Sequence, residues 1–395
     1  MCDRAKKGLG AYGVMVMDFH RPRGHELLSD AEAGLDPDVV PVANSATAGL
    51  SDRSVAIFLL DIRSNKSPYI KKGFIDSDDD TGDFLGEEQW KWFQEAIKRS
   101  NASVNVIVNG LQTLADRIGP PFAVENWGKF PTSQRRLYQA LLQENVRAPI
   151  IVSGDVHHAQ ILRKDCLFVD KEKRITKRAR PLHEVTTSGM THSWGGPEIC
   201  GRQNMFVCKM RHFMLAGKFS MNFGHWINAD HAWTDLVDIS GPGMESHYTG
   251  EGKSGYQYSI ALNFAEFDFD WEDQSVTIRI LGSDKDAPPA VSTKWSFDSL
   301  TEHDNDYQPL VKEQQFVDTF DSLTQHGQRI GASDDGEWVC INYRGPSGLF
   351  YSVIGFWVPV GTFISLTLLP LALPFVFYVA VLVRLVTRKP KVKTV

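Results

Sequence analysis

Hydrophobic and polar positions alternate between two regimes along the chain. An apolar run from Tyr12 to Met17 reads as one strand in an otherwise irregular stretch, 1–50, rich in Pro, Gly, Asp and Ala. Val55 to Leu60 (VAIFLL), bounded by polar residues, reads as a buried strand ending at Asp61. Glu87 to Ser100 places Trp90, Phe93 and Ile97 on one face, with acids early and bases late, as a helix prefers. Asn105 to Val108 is the next strand, Ser133 to Asn145 a second helix, and Ala148 to Ser153 an apolar strand that stops at Gly154. Strand, helix, strand, helix, strand predicts an α/β sheet whose strand ends carry the chemistry.

Beyond residue 160 the pattern becomes strands and turns, with long loops rich in Gly, His and Trp. Leu262 to Phe269 and Ser275 to Leu281, joined by the turn WEDQ, read as a hairpin that closes a second sheet. Ser283 to Glu337 is acidic and aperiodic, which predicts a surface extension. Leu349 to Val383 then runs about 35 residues without a charge, where a bilayer span needs about 20, and this predicts a single membrane anchor. Arg384, Arg388, Lys389, Lys391 and Lys393 follow it, whereas Arg344 stands alone before it. Basic residues mark the cytosolic flank, so the domain is expected on the lumenal or extracellular side. The sequons at Asn65 and Asn101 agree with that side. The first residues show no export signal, and a missing N-terminal segment is the explanation expected for it.

The resulting domain reading is 1–50 irregular, 51–282 the main domain with an insertion at about 222–258, 283–348 an acidic extension, 349–383 the anchor and 384–395 a basic tail. Composition narrows the function. A formal net charge of -6, spread over interspersed charges, gives no basic face for phosphate neutralisation, so nucleic acid is excluded as partner. Five cysteines are too few for a disulfide-held miniprotein; only Cys200 and Cys208 read as a candidate pair, with free buried thiols as the other reading.

Candidate chemistry concentrates in Gly154-Asp155-Val156-His157-His158, directly after an apolar strand. Glycine at the strand end permits a close turn, and Asp155 and His157 then project to the same side of the loop. Carboxylate oxygen with imidazole nitrogen suits iron, manganese or zinc. A polar loop with a satisfied core histidine fits the same residues.

Five motifs in order carry a resemblance. Phe84-Leu85-Gly86-Glu87-Glu88-Gln89-Trp90, Gly110-Leu111-Gln112, Trp127-Gly128-Lys129-Phe130-Pro131, Ser153-Gly154-Asp155-Val156-His157 and Glu184 to Trp194 resemble the motif series of the PhoD-like alkaline phosphatases, within the calcineurin-like metallophosphoesterase superfamily. The resemblance implies a four-layer α/β/β/α sandwich, hydrolysis of phosphate esters, and divalent or transition metal ions (Fe, Ca, Mn or Zn). It implies Asp155 and His157 as metal ligands. Asn109 falls at a strand-end site position, with a loop-capping role as its other reading, and His158 and His192 fall where a group could contact phosphate or protonate a leaving group, His192 having a structural reading as well.

The family's earlier ligand motifs should precede Val55. Only Asp18-Phe19-His20 has ligand spacing there, and it lies too close to the Val55 strand for the missing sheet to fit between them. A catalytically inactive, membrane-anchored binding protein on the same fold is therefore the second reading, and a scaffold whose acidic extension binds a partner the third. The expected partners are a phosphate-ester substrate and the lipid bilayer, with oligomeric state left open.

Overall fold

In the computed structural model the described residues are 10–19, 52–69, 71–72, 75–76, 81–114, 125, 127–143, 145–191, 193, 244–248, 258–259, 261–301, 319–332, 335–341, 378–379, 381 and 383. In chain order the strands are β1 (Gly13–Asp18), β2 (Ser54–Leu59), β3 (Lys71–Lys72), β4 (Ile75–Asp76), β5 (Val104–Val108), β6 (Pro149–Ser153), β7 (Ala159–Asp170) and β8 (Ile175–Thr187), then β9 (Met244–Tyr248), β10 (Tyr258–Ser259), β11 (Phe264–Asp270), β12 (Ser275–Leu281), β13 (Val291–Ser296), β14 (Gly327–Ala332) and β15 (Gly336–Ile341). The α-helices are α1 (Glu87–Lys98), α2 (Pro131–Leu141), α3 (Phe297–Thr301) and α4 (Phe320–His326).

A nine-stranded sheet has the order β1-β2-β5-β6-β8-β7-β15-β14, with β10 on β7, and a four-stranded sheet has the order β11-β12-β13-β9. Strands β2, β5, β6 and β8 are mutually parallel. Their carboxyl ends, at Leu59, Val108, Ser153 and Thr187, therefore share one edge of the sheet.

Alternation along the strands divides them between hydrophobic clusters, three in all among the described residues, two of which meet at β2. In β2, Ala56 and Phe58 face the helices, packing with Trp90, Phe93 and Ile97 of α1 and Leu137 and Leu141 of α2. Val55 and Ile57 face the other way, onto Val276, Ile278, Ile280 and Trp295 of the small sheet. Fully burying one such side chain is worth roughly 1.5–3 kcal/mol, so these faces fix the strand register. Helix α1 starts at Gly86, whose φ of 75° suits glycine, with Glu87 and Glu88 in its first turn and Lys98 in its last. The Asp83 carboxylate accepts from the Gly86 N–H (2.7 Å), from Trp90 Nε1 (2.7 Å) and from Ser133 Oγ of α2 (2.7 Å), tying the two helices together. Pro131 opens α2, where a missing N–H costs nothing.

Three sequence expectations change. The segment 283–348 is not a loose extension: β13 extends the small sheet, and β15 pairs with β7 in the large one. Its acids hid short strands in which Ile330 and Cys340 are buried in the helix-side core, and Val339 and Ile341 against Leu167 and Leu323 on the other face. Within the segment expected as an insertion, Met244–Tyr248 is an edge strand against β13. A cysteine pair not expected from sequence is present, Cys166 bonded to Cys340, its direct cross-strand partner 174 residues away, whereas Cys200 and Cys208 lie outside the described residues.

Of the four layers expected, α/β/β is described. The outward positions of the small sheet are charged, with Arg279 bonded to Glu266 (2.8 Å) and to Asp268 (3.1 Å), so that face is a solvated one rather than a seat for a helix layer among the described residues. The anchor Leu349–Val383 lies outside the described residues except for 378–379, 381 and 383. Among the described residues no helix is long and apolar enough to cross a membrane.

Candidate functional site

The loop after β6 turns within two residues. Val156 N–H donates to the Gly154 carbonyl (3.0 Å), and both Asp155 (φ 73°) and His157 (φ 56°) take left-handed backbone conformations. Such conformations cost energy outside glycine and persist where surroundings over-determine them. Here the surroundings are visible: His157 N–H donates to Ser188 Oγ (3.0 Å), and the loop that follows β8 is held in turn by Asn263, whose Oδ1 accepts from Ser188 N–H and Gly189 N–H (both 3.3 Å).

Behind this loop runs a buried polar chain. His158 is buried, with Nδ1 3.0 Å from the Val156 carbonyl and Nε2 3.3 Å from Gln160 Oε1. Gln112 Nε2 donates to Gln160 Oε1 (3.1 Å) and to Thr186 Oγ1 (3.0 Å), which lies 3.0 Å from Ser153 Oγ. The neighbouring Glu184 carboxylate accepts from Thr113 N–H (2.8 Å) and Leu114 N–H (2.7 Å). His158 thus braces the loop from inside instead of facing a ligand.

Asn109 ends β5's run to the same edge, but its side chain is committed inward. Nδ2 donates to Thr113 Oγ1 (3.1 Å), and Oδ1 accepts from Leu111 N–H (3.0 Å) and Trp127 Nε1 (3.0 Å). This is the loop-capping arrangement. Asn109→Ala is expected to lower unfolding free energy by about 1–3 kcal/mol, because a buried indole N–H and a backbone N–H lose their acceptor. Denaturant unfolding checks it, and a loss below about 0.5 kcal/mol would contradict the capping role.

Sequence reading missed the residues opposite the Asp155 loop. Asp61, just past β2, accepts from Arg63 N–H (2.9 Å) and Ser64 N–H (3.0 Å) at Oδ1, and from Ala11 N–H (2.7 Å) and Ser64 Oγ (2.6 Å) at Oδ2. Burial pushes its carboxyl up, yet the bonds from Ser64, Ala11 and Arg63 outweigh this and hold it at about 2. A depressed carboxyl stabilises fully above the ordinary value of 3.8, and that contribution is lost only as pH falls through about 2.

The Asp61 turn projects Arg63 along the sheet edge. Arg63 Nη1 is bonded to Glu125, and Nη2 lies 3.8 Å from Asp155 Oδ1. Lys66 Nζ lies 3.6 Å from the other Glu125 oxygen and 3.6 Å from the centre of the Tyr69 ring. Burial raises the Asp155 carboxyl, as does Glu125; Arg63 and His157 pull the other way without cancelling it. Burial also pushes Glu125 up, but Arg63 and Lys66 bring it below its usual range. The signal available in sequence was the one used for Asp155, a charged pair immediately after an apolar strand: Asp61-Ile62-Arg63.

The structure therefore brings Asp155 and His157 together at the edge, turns Asn109 and His158 inward, and leaves His192 outside the described residues. Asp18 is excluded by topology. It pairs with Ser54 at the start of β2, the opposite end of the sheet from Asp155. His20 lies outside the described residues. Among the described residues no group of three or more His, Cys, Asp or Glu comes together, and the cation facing Asp155 is a guanidinium.

No curated protein matches the chain. A solved structure titled "Structure of PhoD" is similar at 13% identity, with a TM-score of 0.36, over 65% of this chain and 43% of that one, so the chain spans less than half of that protein's length. The family model described as PhoD-like phosphatase matches residues 53–209, which take in all five ordered motifs, the Asp61 turn and the Asp155 loop. Over residues 53–209, somewhat less than half of its length, the chain is similar to the PhoD-like phosphatase family.

Proposed function

We propose that the chain is a phosphoesterase that acts on phosphate monoesters or diesters at the carboxyl edge of β2, β5, β6 and β8, with Asp155 and His157 facing the ester. The observation that carries this reading is the Asp155–His157 loop itself. It lies inside the matched family segment, at the sheet edge where open α/β folds bind ligands, and two of its non-glycine residues take left-handed conformations, with the His157 N–H held by Ser188 and Ser188 by Asn263.

The metal dependence of PhoD-like enzymes belongs to the same reading. Bound metal would supply an activated water and charge neutralisation at the phosphoryl group. Asp155 and His157 are two donors of the set such a centre needs, and no step is assigned to it from the described residues. We place the domain on the lumenal or extracellular side of a membrane, held by the Leu349–Val383 segment with its basic tail in the cytosol. The buried Cys166–Cys340 disulfide favours that side, since structural disulfides persist in oxidising compartments.

The second reading, a binding protein without turnover, is favoured by one observation: no third metal-binding side chain joins Asp155 and His157 among the described residues. Incubating the purified full chain with p-nitrophenyl phosphate and bis-p-nitrophenyl phosphate, in the presence of Fe, Mn, Zn or Ca salts, separates the two. Release of p-nitrophenol above a His157→Ala control is the expected result. Phosphate binding with no release under every metal would establish the silent binder instead.

A further inference from the structure

The cation at the site edge is held in a way that surface stability does not explain. Arg63 is 53% exposed and Asp155 40% exposed, and ion pairs this open to solvent add little to a fold. Yet the chain spends several groups on aiming this guanidinium. Asp61 fixes the backbone of residues 63 and 64 through Oδ1 and the Ser64 hydroxyl through Oδ2, and Gln89 in α1 fixes Asp61 in turn, its Oε1 accepting from Asp61 N–H (2.8 Å) and its Nε2 donating to the Asp61 carbonyl (2.8 Å).

Glu125 then takes one arm of the guanidinium, and Lys66, only 18% exposed and seated against Tyr69, holds Glu125 from the far side. Glu125 has a cation on each oxygen, so its charge is answered. The second arm of Arg63 reaches Asp155 only at 3.8 Å, beyond hydrogen-bond distance, and is aimed at the mouth of the Asp155–His157 loop. A planar, permanently charged guanidinium with one arm anchored presents the N–H groups of its other arm, already aimed, to a phosphoryl oxygen.

We propose that Arg63 is the residue that grips the phosphoryl oxygens of the substrate, and that Glu125 and Lys66 are positioning residues which hold its guanidinium toward Asp155. This rests on the phosphoesterase reading and names the anion contact within it. A phosphate ester arriving between the Asp61 turn and the Asp155 loop meets the open arm of Arg63 on one side and His157 on the other.

The test uses the full chain in mild detergent, with inorganic phosphate as the probe in calorimetric titration and bis-p-nitrophenyl phosphate in steady-state kinetics. Arg63→Met is expected to weaken phosphate binding and raise KM by about 10- to 100-fold, the range for losing a charge-assisted pair of hydrogen bonds, with the melting temperature unchanged. Arg63→Lys, which keeps the charge and loses the fork, is expected to recover part of that loss. Glu125→Gln is expected to raise KM about threefold or more while kcat stays within about twofold, since it loosens the aim and leaves the reacting groups in place. Arg63→Met that binds phosphate as the wild type does, while His157→Ala is inactive, overturns this inference and leaves the phosphoesterase reading standing. A wild-type chain that neither binds phosphate nor hydrolyses the ester overturns both.

Discussion

Asp155→Asn and His157→Ala are each expected to lower kcat/KM for a chromogenic phosphate ester by about 100-fold or more, the usual scale for removing a positioned group in contact with the reacting centre. The two side chains sit on one short loop whose backbone is fixed by Ser188 and, through it, by Asn263. Neither side chain belongs to a hydrophobic cluster of the described residues, and Asp155 is substantially exposed, so both substitutions are expected to leave the fold in place. Thermal melts of both variants should therefore overlay the wild type. His158→Ala is the instructive contrast. That ring braces the loop from the buried side, through the Val156 carbonyl and Gln160, so its loss is expected to reduce stability first. Steady-state kinetics with parallel melts checks the set. Full activity in His157→Ala would remove the Asp155 loop from the site.

Cys166→Ala together with Cys340→Ala lowers the unfolding free energy by roughly 2–5 kcal/mol. The bond spans 174 residues and joins β7 to β15 at directly opposed positions, so its absence releases a long loop in the unfolded chain. The loss is large against a typical domain stability of about 5–15 kcal/mol. It also falls on one place, because β14 and β15 meet the rest of the large sheet through β7. Urea unfolding of the double variant and the wild type checks this, with reductant added to the wild type as the matching arm. Equal midpoints in all three would contradict a structural role for the bond.

The two predictions mark the limits of what the sequence shows. The parallel part of the large sheet was legible because buried parallel strands are continuous apolar runs: Val55 to Leu60, Asn105 to Val108 and Ala148 to Ser153 correspond to β2, β5 and β6 within a residue. The Asp155 loop was legible because a glycine and a carboxylate follow such a run. Strand β7 obeys no such rule. It is buried nearly throughout although it contains Arg163, Lys164 and Asp165, and only the fold shows that Arg163 pairs with Asp165 at 2.7 Å in the interior. The closing strands β14 and β15 were hidden because both are short and carry charge, Arg329 in one and Glu337 in the other, and the buried residues of β15 are consecutive rather than alternating. Long-range pairings were out of reach altogether. Glu125 stands 62 positions from Arg63, and Cys340 stands 174 from Cys166; neither spacing carries a local signal.

The proposed site has a legible half and a folded half. Asp155 and His157 come from motif and position, whereas the Asp61 turn, Arg63 and Glu125 come from what the topology brings to the same edge. Pre-organisation is the physical link between the halves, because groups held before the ligand arrives need no reorganisation when it binds. A structure of the full chain determined with orthovanadate bound tests this most directly. The account predicts the oxyanion between residues 61–64 and the 154–158 loop, within hydrogen-bond distance of Arg63 and His157. Vanadate seated elsewhere, with that edge empty, would contradict it.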